Sequence, residues 1–287
     1  MERSSEEIIE LARREIAARQ AHALEERGMR EVPWRYAFLG MLGAILAGML
    51  LWPGAPLNWK MYAAVHGVCA QIHNVALGGE QLPLCARNTG IYSGFLLTMV
   101  YLAILGRSRA ARLPPPAIVV VLAGLVVIMA IDGFNSMFVD LFLPHLYTPR
   151  NDLRTLTGIG MGTAMAVMMV LILNLSLRRD ADMEQRVIGN WRELGGALLL
   201  GLLVHAAIYG NVAVSYWPIA IVAWAGIVGI LFCVNLLIVA LIMRYEGRVT
   251  RLEDLARPAT LALIVTAIML GALSWGRFWL EANGLIL

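Results

Sequence analysis

The stretch Pro116-Ala-Ile-Val-Val-Val-Leu-Ala-Gly-Leu-Val-Val-Ile-Met-Ala-Ile-Asp132-Gly-Phe-Asn135-Ser-Met137 decides the fold class. At a rise of 1.5 Å per residue, this run is long enough to cross about 30 Å of hydrocarbon as an α-helix. A Leu-Pro-Pro-Pro sequence ending at Pro116 sets a sharp turn before it, because proline lacks an N–H and has a fixed φ. The stretch therefore predicts a transmembrane helix at residues 116–137.

Six further apolar runs of similar length bring the total to about seven predicted spans. Hydrophobic residues make up 59% of the chain and charged residues 15%, which is outside the range of soluble domains. Lipid cannot satisfy backbone N–H and C=O groups, and no run alternates like a barrel strand, so each span is expected to be helical. We predict an all-α, polytopic transmembrane helical bundle. The other spans are expected at residues 36–52, 88–106, 154–177, 194–213, 217–243 and 259–281.

Lys and Arg residues are distributed unequally between alternate connections. Basic residues near span ends are retained on the cytoplasmic side. With the N-terminus inside, 18 of the 23 Lys and Arg residues fall on the inner side. This predicts a cytoplasmic N-terminus and a C-terminus outside, with Lys60, Arg87, Arg150, Arg154 and Arg277 on the outer side. The inner-face arginines account for the net charge of +3, so no nucleic-acid partner is expected.

Residues 1–35 are predicted to form a cytoplasmic amphipathic helix, and residues 36–287 the transmembrane domain. Ser4 and Glu7 have the spacing of a capping box. An apolar stripe follows on one face of the helix, formed by Ile8, Leu11, Ala12 and Ile16. Two interpretations stay open for this helix: an anchor on the inner leaflet, or a docking helix for a partner subunit.

The predicted outer loop, residues 53–87, contains Cys69, His73 and Cys85. A disulfide between Cys69 and Cys85 is one interpretation, since oxidation is permitted outside the cytoplasm. A zinc site using all three side chains is another, although it lacks an obvious fourth ligand and the CxxC spacing. A thiol redox or nucleophilic role is the third, and it requires a depressed thiol pKa.

Polar side chains gather at the outer ends of three consecutive spans. Asp132 requires a cationic partner inside the membrane, and Arg87 and Arg154 are the available ones. One carboxylate between two guanidiniums leaves a positive charge for an anionic ligand such as a phosphate or carboxylate. The other interpretation is a purely structural ion-pair cluster. The supporting polar residues at this level are Asn88, Thr89, Tyr92, Asn135 and Asn151.

Two further features lie within predicted spans. His205 is expected to make an interhelical hydrogen bond; a proton relay is a weaker alternative, and haem ligation is not expected from a single histidine. Gly158, Gly160 and Gly162 are expected to allow close approach between helix backbones.

The string Gln81-Leu-Pro-Leu-Cys85-Ala-Arg-Asn-Thr-Gly-Ile-Tyr92-Ser-Gly94, with Cys69 upstream and Asn151-Asp-Leu-Arg154-Thr-Leu-Thr-Gly158 downstream, carries a resemblance. It resembles a domain-of-unknown-function family of predicted prokaryotic membrane proteins, over roughly residues 60–175. The resemblance implies a prokaryotic cytoplasmic membrane, and it brings no activity with it. Family members often have Cys-His-Gln where this chain has Cys69-Ala70-Gln71, and Cys or Asp at Asn88, which weakens the zinc interpretation. The positions implied to match are Cys69, Cys85, Arg87, Thr89, Gly90, Tyr92, Asp132, Asn151 and Arg154.

The sequence shows no complete catalytic constellation. The leading interpretation is therefore a non-catalytic accessory or assembly subunit of a membrane complex, with membrane lipid and other subunits as partners. The alternative is a transporter or enzyme that handles an anionic lipid or small anion at the outer leaflet. A thiol redox protein is the second alternative.

Overall fold

The computed structural model describes residues 5–69 and 73–285, and it is mostly helical, at 74%. The α-helices in these ranges are α1 (Ser5–Leu51), α2 (Leu57–Val65), α3 (Ala86–Ile104), α4 (Pro116–Asp140), α5 (Asn151–Leu177), α6 (Trp191–Tyr209), α7 (Tyr216–Ile242) and α8 (Ala256–Ala282). Short 3-10 helices occupy His66–Val68, Ala213–Ser215 and Leu252–Leu255. The strands are β1 (Asn74–Leu77), β2 (Glu80–Cys85), β3 (Ala110–Arg112) and β4 (Asp182–Arg186).

Six helical segments of the described chain are long and apolar enough to cross a membrane, so this is a membrane protein. They correspond to six of the seven predicted spans. The remaining prediction, residues 88–106, is also a helix, α3, but Arg87 and Asn88 in its first turn lower its mean hydropathy. The six segments are Glu31–Leu51, Pro116–Asp140, Asn151–Leu177, Trp191–Tyr209, Ala213–Ile242 and Leu252–Ala282.

Helix α3 packs closely along α5. A Cβ atom added to Gly162 would lie 2.0 Å from the Ile91 carbonyl oxygen, and one added to Gly158 would lie 2.4 Å from that of Arg87. Gly158 meets Arg87, and Gly162, four residues later, meets Ile91, also four residues later, so α3 and α5 run parallel. The predicted close approach of backbones at Gly158 and Gly162 is confirmed, whereas Gly160 faces the side chain of Leu125 on α4.

Two small strand pairs add to the helices, and an all-α prediction did not include them. Strands β1 and β2 form an antiparallel hairpin in which Asn74 pairs with Cys85. Its turn is Gly78-Gly79, and both residues have positive φ, at 63° and 87°, as a tight two-residue hairpin requires. Strands β3 and β4, which follow α3 and α5, pair in parallel. Strands this short leave no periodic pattern in the sequence.

The hairpin is anchored to the helices by apolar side chains. Leu77 and Leu82 are fully buried, and they pack in one cluster with Ile208 of α6 and Ile219 of α7. The start of α3, which follows β2 directly, is fixed in position by this packing. The hairpin therefore lies over the same end of the bundle at which α4 ends and α5 begins.

Helix α1 continues without a break from Ser5 to Leu51, so the expected boundary at residue 35 lies inside one helix. Residues 1–4 and most side chains before residue 31 lie outside the described part, including the predicted capping pair Ser4 and Glu7 and the stripe Ile8, Leu11, Ala12 and Ile16. The described contacts of α1 with the later helices include the Glu31 carboxylate, which accepts hydrogen bonds from the Tyr245 hydroxyl and the Arg257 backbone N–H.

Candidate functional site

Asp132 and Arg87 form a buried ion pair at the end of the bundle covered by the hairpin. Arg87 Nη2 lies 2.6 Å from Asp132 Oδ2, and Arg87 Nε lies 3.2 Å from the same oxygen. The Asp132 side chain is 1% exposed. The Tyr147 hydroxyl donates to Asp132 Oδ1 at 2.6 Å, so both carboxylate oxygens have a close donor. This pairing compensates much of the cost of burying the charge of Asp132.

Arg154 is the second guanidinium of this site, and it is only 5% exposed. Its Nη1 donates to Asn151 Oδ1 at 3.0 Å, and its Nε reaches Ser136 Oγ at 3.4 Å. Both partners are neutral. Among the described residues, no carboxylate lies within ion-pair distance (4.0 Å) of Arg154. The site therefore holds a buried cation beside a satisfied ion pair.

Ser136 connects the two guanidiniums. Its hydroxyl oxygen lies 2.8 Å from Arg87 Nη2 and 3.4 Å from Arg154 Nε. Ser136 is one helical turn after Asp132 on α4, so helical periodicity places both on one face. That spacing is the signal that could have identified Ser136 from the sequence.

Asp140 and His73 complete the charged surroundings. The Asp140 carboxylate is 48% exposed and lies 3.5 Å from His73 Nε2, within ion-pair range but without hydrogen-bond geometry. Burial lowers the pKa of His73, the Arg154 cation and more weakly Arg87 lower it further, and Asp140 opposes them. His73 is therefore neutral near pH 7, and Asp140 is a solvent-screened negative charge at the edge of the site.

Neutral side chains fix the loop and the hairpin around these charges. Asn135 Oδ1 accepts from the Leu146 backbone N–H at 2.7 Å, and Asn135 Nδ2 donates to the Tyr147 carbonyl at 2.9 Å. The loop after α4 is thereby held so that Tyr147 reaches Asp132. Burial, followed by the hydrogen bond to Asp132, raises the pKa of Tyr147 to about 12, so its hydroxyl remains a donor at neutral pH. Asn151 Nδ2 donates to the Asn74 carbonyl and connects α5 to the hairpin.

Residues in the first turns of α3 support the adjacent cysteines. The Thr89 hydroxyl donates to the Leu84 carbonyl at 3.2 Å. Asn88 contributes its backbone N–H, which is directed at the Cys85 sulfur. Tyr92 packs in the same apolar cluster as Cys69 and Cys85. These three residues therefore shape the start of α3 and lie next to the charged cluster.

Cys69 and Cys85 are side by side as thiols and are not joined by a disulfide. A hydrogen bond between the two thiols, together with burial, raises the pKa of Cys85. This direction is opposite to the depressed pKa that a reactive thiolate requires. Cys69 is 5% exposed, and its carbonyl accepts a hydrogen bond from Arg277 of α8.

The zinc arrangement of Cys69, His73 and Cys85 is not assembled. Asn74 pairs with Cys85 across the hairpin, and side chains alternate along an extended chain, so His73 is directed to the other face, toward Asp140. Within the described ranges, no three His, Cys, Asp or Glu side chains are grouped in a way that could hold a metal ion.

His205 lies apart from the charged cluster, on α6. Its Nδ1 is buried without a hydrogen-bond partner among the described residues, so the interhelical hydrogen bond expected there is not made by that nitrogen. Its ring centroid lies 4.7 Å from that of Tyr209, whose hydroxyl is 2.9 Å from Thr155 Oγ1 on α5.

A second polar cluster, which the sequence did not predict, holds α8 against the segment before Cys69. His66 Nε2 lies 2.8 Å from Glu281 Oε2, and Arg277 Nε donates to Glu281 Oε1 at 2.8 Å. The His66 ring stacks on Phe278 with centroids 4.3 Å apart. A histidine and an i,i+4 Arg-Glu pair separated by about two hundred residues give no local signal of contact.

One comparison with known proteins gives a match. The profile of a family described as a predicted membrane protein family, DUF2085, matches residues 69–168. The matched region is similar to a family of unknown function. It begins at Cys69 and includes Cys85, Arg87, Asp132 and Arg154, while His205 and the α8 cluster lie beyond it. No curated protein and no solved structure matches the chain.

Proposed function

We propose that this chain is a seven-span protein of a prokaryotic cytoplasmic membrane that binds a phosphate- or carboxylate-type anion at its outer face. One observation carries the proposal. Arg154 is a buried guanidinium without a carboxylate in ion-pair range among the described residues, next to an Arg87–Asp132 pair that is already satisfied. A bound anion gives Arg154 the direct ion-pair partner that it lacks among the described residues.

The chemistry of the cluster favours an oxyanion as the ligand. A buried charge is costly unless it is paired, and a guanidinium pairs best with planar or tetrahedral oxyanions through two parallel N–H donors. Arg87 and Asn151 flank Arg154, so a ligand bound there also meets polar neighbours. Binding is therefore the role that this geometry supports best.

The seventh span is α3. It has 19 residues and runs parallel to α5, which is itself long and apolar enough to cross a membrane. Thr89, Ser93 and Thr98 on α3 are fully buried among neighbouring helices, so they need no contact with lipid. A shielded helix can keep polar residues that a lipid-facing helix cannot.

The outward orientation of the site follows from the basic residues. The end of the bundle opposite the hairpin carries the connections around β3, β4 and the start of α8, which hold 11 of the 23 Lys and Arg residues, and residues 1–35 add seven more. Retention of basic connections in the cytoplasm then places Arg154 on the outer side.

The test is anion binding by the purified full-length protein in lipid nanodiscs. Inorganic phosphate, sulfate and a soluble glycerophosphate are titrated while thermal unfolding and bound ligand are measured. We expect saturable stabilisation by at least one of them and a loss of affinity of about tenfold or more in Arg154→Gln, because a charge-assisted hydrogen-bonded pair contributes roughly 1.5–3 kcal/mol.

Arg150→Gln is the matched control. Arg150 precedes α5, is exposed and pairs with Asp152, so its removal changes the net charge of the same face without touching the buried site. Equal losses of affinity in both variants would mean that only surface charge matters. A wild-type protein that binds none of the anions, with Arg154→Gln merely less stable, would mean that the cluster is structural.

An accessory-subunit role is the second candidate, and helix α1 favours it. Its 47 residues correspond to about 70 Å of helix, whereas its candidate span is only Glu31–Leu51. The preceding part is long enough to reach a partner on the cytoplasmic side. If this role holds, a mild-detergent extract contains the chain with a stoichiometric partner, and deletion of residues 1–28 releases that partner. If the full-length chain and the deletion variant both purify without a partner, the accessory-subunit role is contradicted.

Because Cys69 and Cys85 lie side by side as thiols, we also propose that they are oxidised to a disulfide outside the cytoplasm. Both S–H bonds break and one S–S bond forms, while two protons and two electrons pass to an oxidising disulfide, which becomes a dithiol. Differential alkylation followed by mass spectrometry tests this in membranes from growing cells. A disulfide present under all growth conditions indicates a structural role, and a disulfide that forms and breaks with growth conditions indicates a redox role. Thiols that can always be alkylated exclude both roles.

A further inference from the structure

A cavity of about 390 Å³ lies at the end of the bundle opposite the candidate anion site. It opens where α5 ends, between the segment before β3 and the 3-10 helix that precedes α8. A volume of this size is typical of small-ligand sites. Its lining includes Arg109, Arg178, Arg251, Leu173, Leu177 and Leu236.

The rim of the cavity carries more positive than negative charge. Arg178 donates to both oxygens of Asp180 at 3.0 and 2.9 Å, and Arg109 Nε lies 3.1 Å from the same carboxylate. One carboxylate therefore serves two guanidiniums. Arg251 is exposed at the rim, and the described part of the chain contains no ion pair of its guanidinium.

Asp254 is the other carboxylate near this rim, and it is used by the backbone. Its Oδ2 accepts from the Thr250 backbone N–H at 2.9 Å, from the Thr250 hydroxyl at 3.0 Å and from the Arg251 backbone N–H at 2.8 Å. These bonds fix the start of the 3-10 helix. Asp254 is therefore occupied by backbone donors, while Arg109 shares the Asp180 carboxylate with Arg178 at the opening.

The wall of the cavity is apolar. Leu173 and Leu177 come from α5 and Leu236 from α7, and both helices are candidate membrane spans. Leu173 is partly exposed, whereas Leu177 and Leu236 are buried, so Leu173 offers most of the accessible apolar surface of this wall. An apolar wall below a cationic rim at a membrane boundary matches a phospholipid, whose phosphate is anionic and whose glycerol and upper acyl chains are not.

We infer that this cavity binds one anionic phospholipid of the adjacent leaflet, with its headgroup at Arg109 and Arg251 and its upper acyl chains against Leu173, Leu177 and Leu236. Basic pockets between membrane helices recognise anionic headgroups by this combination of charge and depth. The site is separate from the proposed outer anion site and does not depend on it.

The experiment measures lipid retention by native mass spectrometry on the full-length protein. The purified protein is mixed with dioleoyl phosphatidylglycerol or dioleoyl phosphatidylcholine in detergent, and retained lipids are counted. We expect one phosphatidylglycerol to be retained in preference to phosphatidylcholine. Each of Arg109→Gln and Arg251→Gln should weaken that retention about fivefold, the effect of removing one basic contact to an anionic lipid.

Arg112→Gln is the matched control, because Arg112 lies on β3, pairs with Glu184 and does not line the cavity. It should retain the lipid as the wild type does, and so should Arg154→Gln, which separates this inference from the proposed outer site. Arg178 is left unchanged in these variants because its bonds to Asp180 and Thr250 hold the local backbone.

Three outcomes would overturn the inference. Equal retention of both lipids would mean that the rim does not select for an anionic headgroup. Unchanged retention in Arg109→Gln and Arg251→Gln would mean that the lipid binds at another site. Displacement of the lipid by inorganic phosphate or soluble glycerophosphoglycerol at similar concentrations would show that a soluble phosphate, and not a lipid, is the ligand.

Discussion

Arg87 and Arg154 carry the same charge and share the hydroxyl of Ser136, yet among the residues that the structure describes only Arg87 has a carboxylate within ion-pair distance. The sequence could predict that Asp132 would need one of these arginines, because a carboxylate within a span has few other partners. It could not predict which arginine would be chosen. That choice depends on the close packing of α3 on α5 and on the loop that brings Tyr147 to Asp132.

Asp132→Asn should destabilise the protein by about 3 kcal/mol, because removing one member of a buried pair leaves the other charge uncompensated. The measurement is the free energy of unfolding in a denaturant series. The double variant Arg87→Gln with Asp132→Asn should lose less than the sum of the two single losses. Strict additivity would mean that the two side chains do not interact.

His73 should make sulfate affinity depend on pH. Because burial and then Arg154 lower its pKa, against the opposing effect of Asp140, His73 becomes positive only below its ordinary pKa of 6.5. The added charge lies near Arg154, so sulfate affinity should rise as pH falls through that range. Sulfate is used because its own charge stays constant there. In His73→Asn the affinity should be independent of pH; a dependence that persists would assign the effect to another group.

Among the elements, the helices follow from hydropathy and the hairpin does not. Apolar runs longer than a strand are easy to recognise, whereas β1 and β2 are too short to show alternation. The Gly78-Gly79 pair between two short apolar segments was the available signal, since a two-residue turn with positive φ favours glycine at both positions. The zinc interpretation gains no support at this scale, because His73 lies toward Asp140 and the described residues contain no group of three metal ligands.

The seam between α3 and α5 gives the clearest test at the scale of elements. Gly162→Ala should destabilise the protein by roughly 1–3 kcal/mol, because its Cβ would overlap the Ile91 carbonyl and force the helices apart. Thermal unfolding in nanodiscs measures the loss. Gly124→Ala on α4 is the control, with no atom within 4 Å of its added Cβ. If both variants unfold like the wild type, the close packing of α3 on α5 is wrong.

At the scale of the molecule, the positions of six of the seven expected spans could be predicted because hydropathy is a property of each segment alone. The exception is α3, whose polar residues lower its hydropathy and are shielded by partners far away in the sequence. The contact of His66 with Glu281 has the same origin. Packing between residues far apart in the sequence produces both the shielding of α3 and the His66–Glu281 contact, and no local sequence pattern predicts such packing.

The orientation can be tested with two single-cysteine substitutions and a membrane-impermeant maleimide. Leu146 in the loop after α4 and Met183 in β4 are both well exposed. Leu146→Cys should be labelled on intact spheroplasts, and Met183→Cys only after permeabilisation. Labelling of the wild type measures the background from the native cysteines. The reverse pattern would place the candidate anion site in the cytoplasm.

The shielded position of α3 also has a consequence for biosynthesis. The ribosome delivers Arg87 to the insertion machinery before Asp132 and before any part of α5 has been made. Alone, this segment is a poor substrate for lateral release into lipid, so its entry must wait for the later helices that cover it. We expect chains truncated before residue 151 to leave α3 outside the bilayer and to be degraded, whereas chains that extend through α5 insert it.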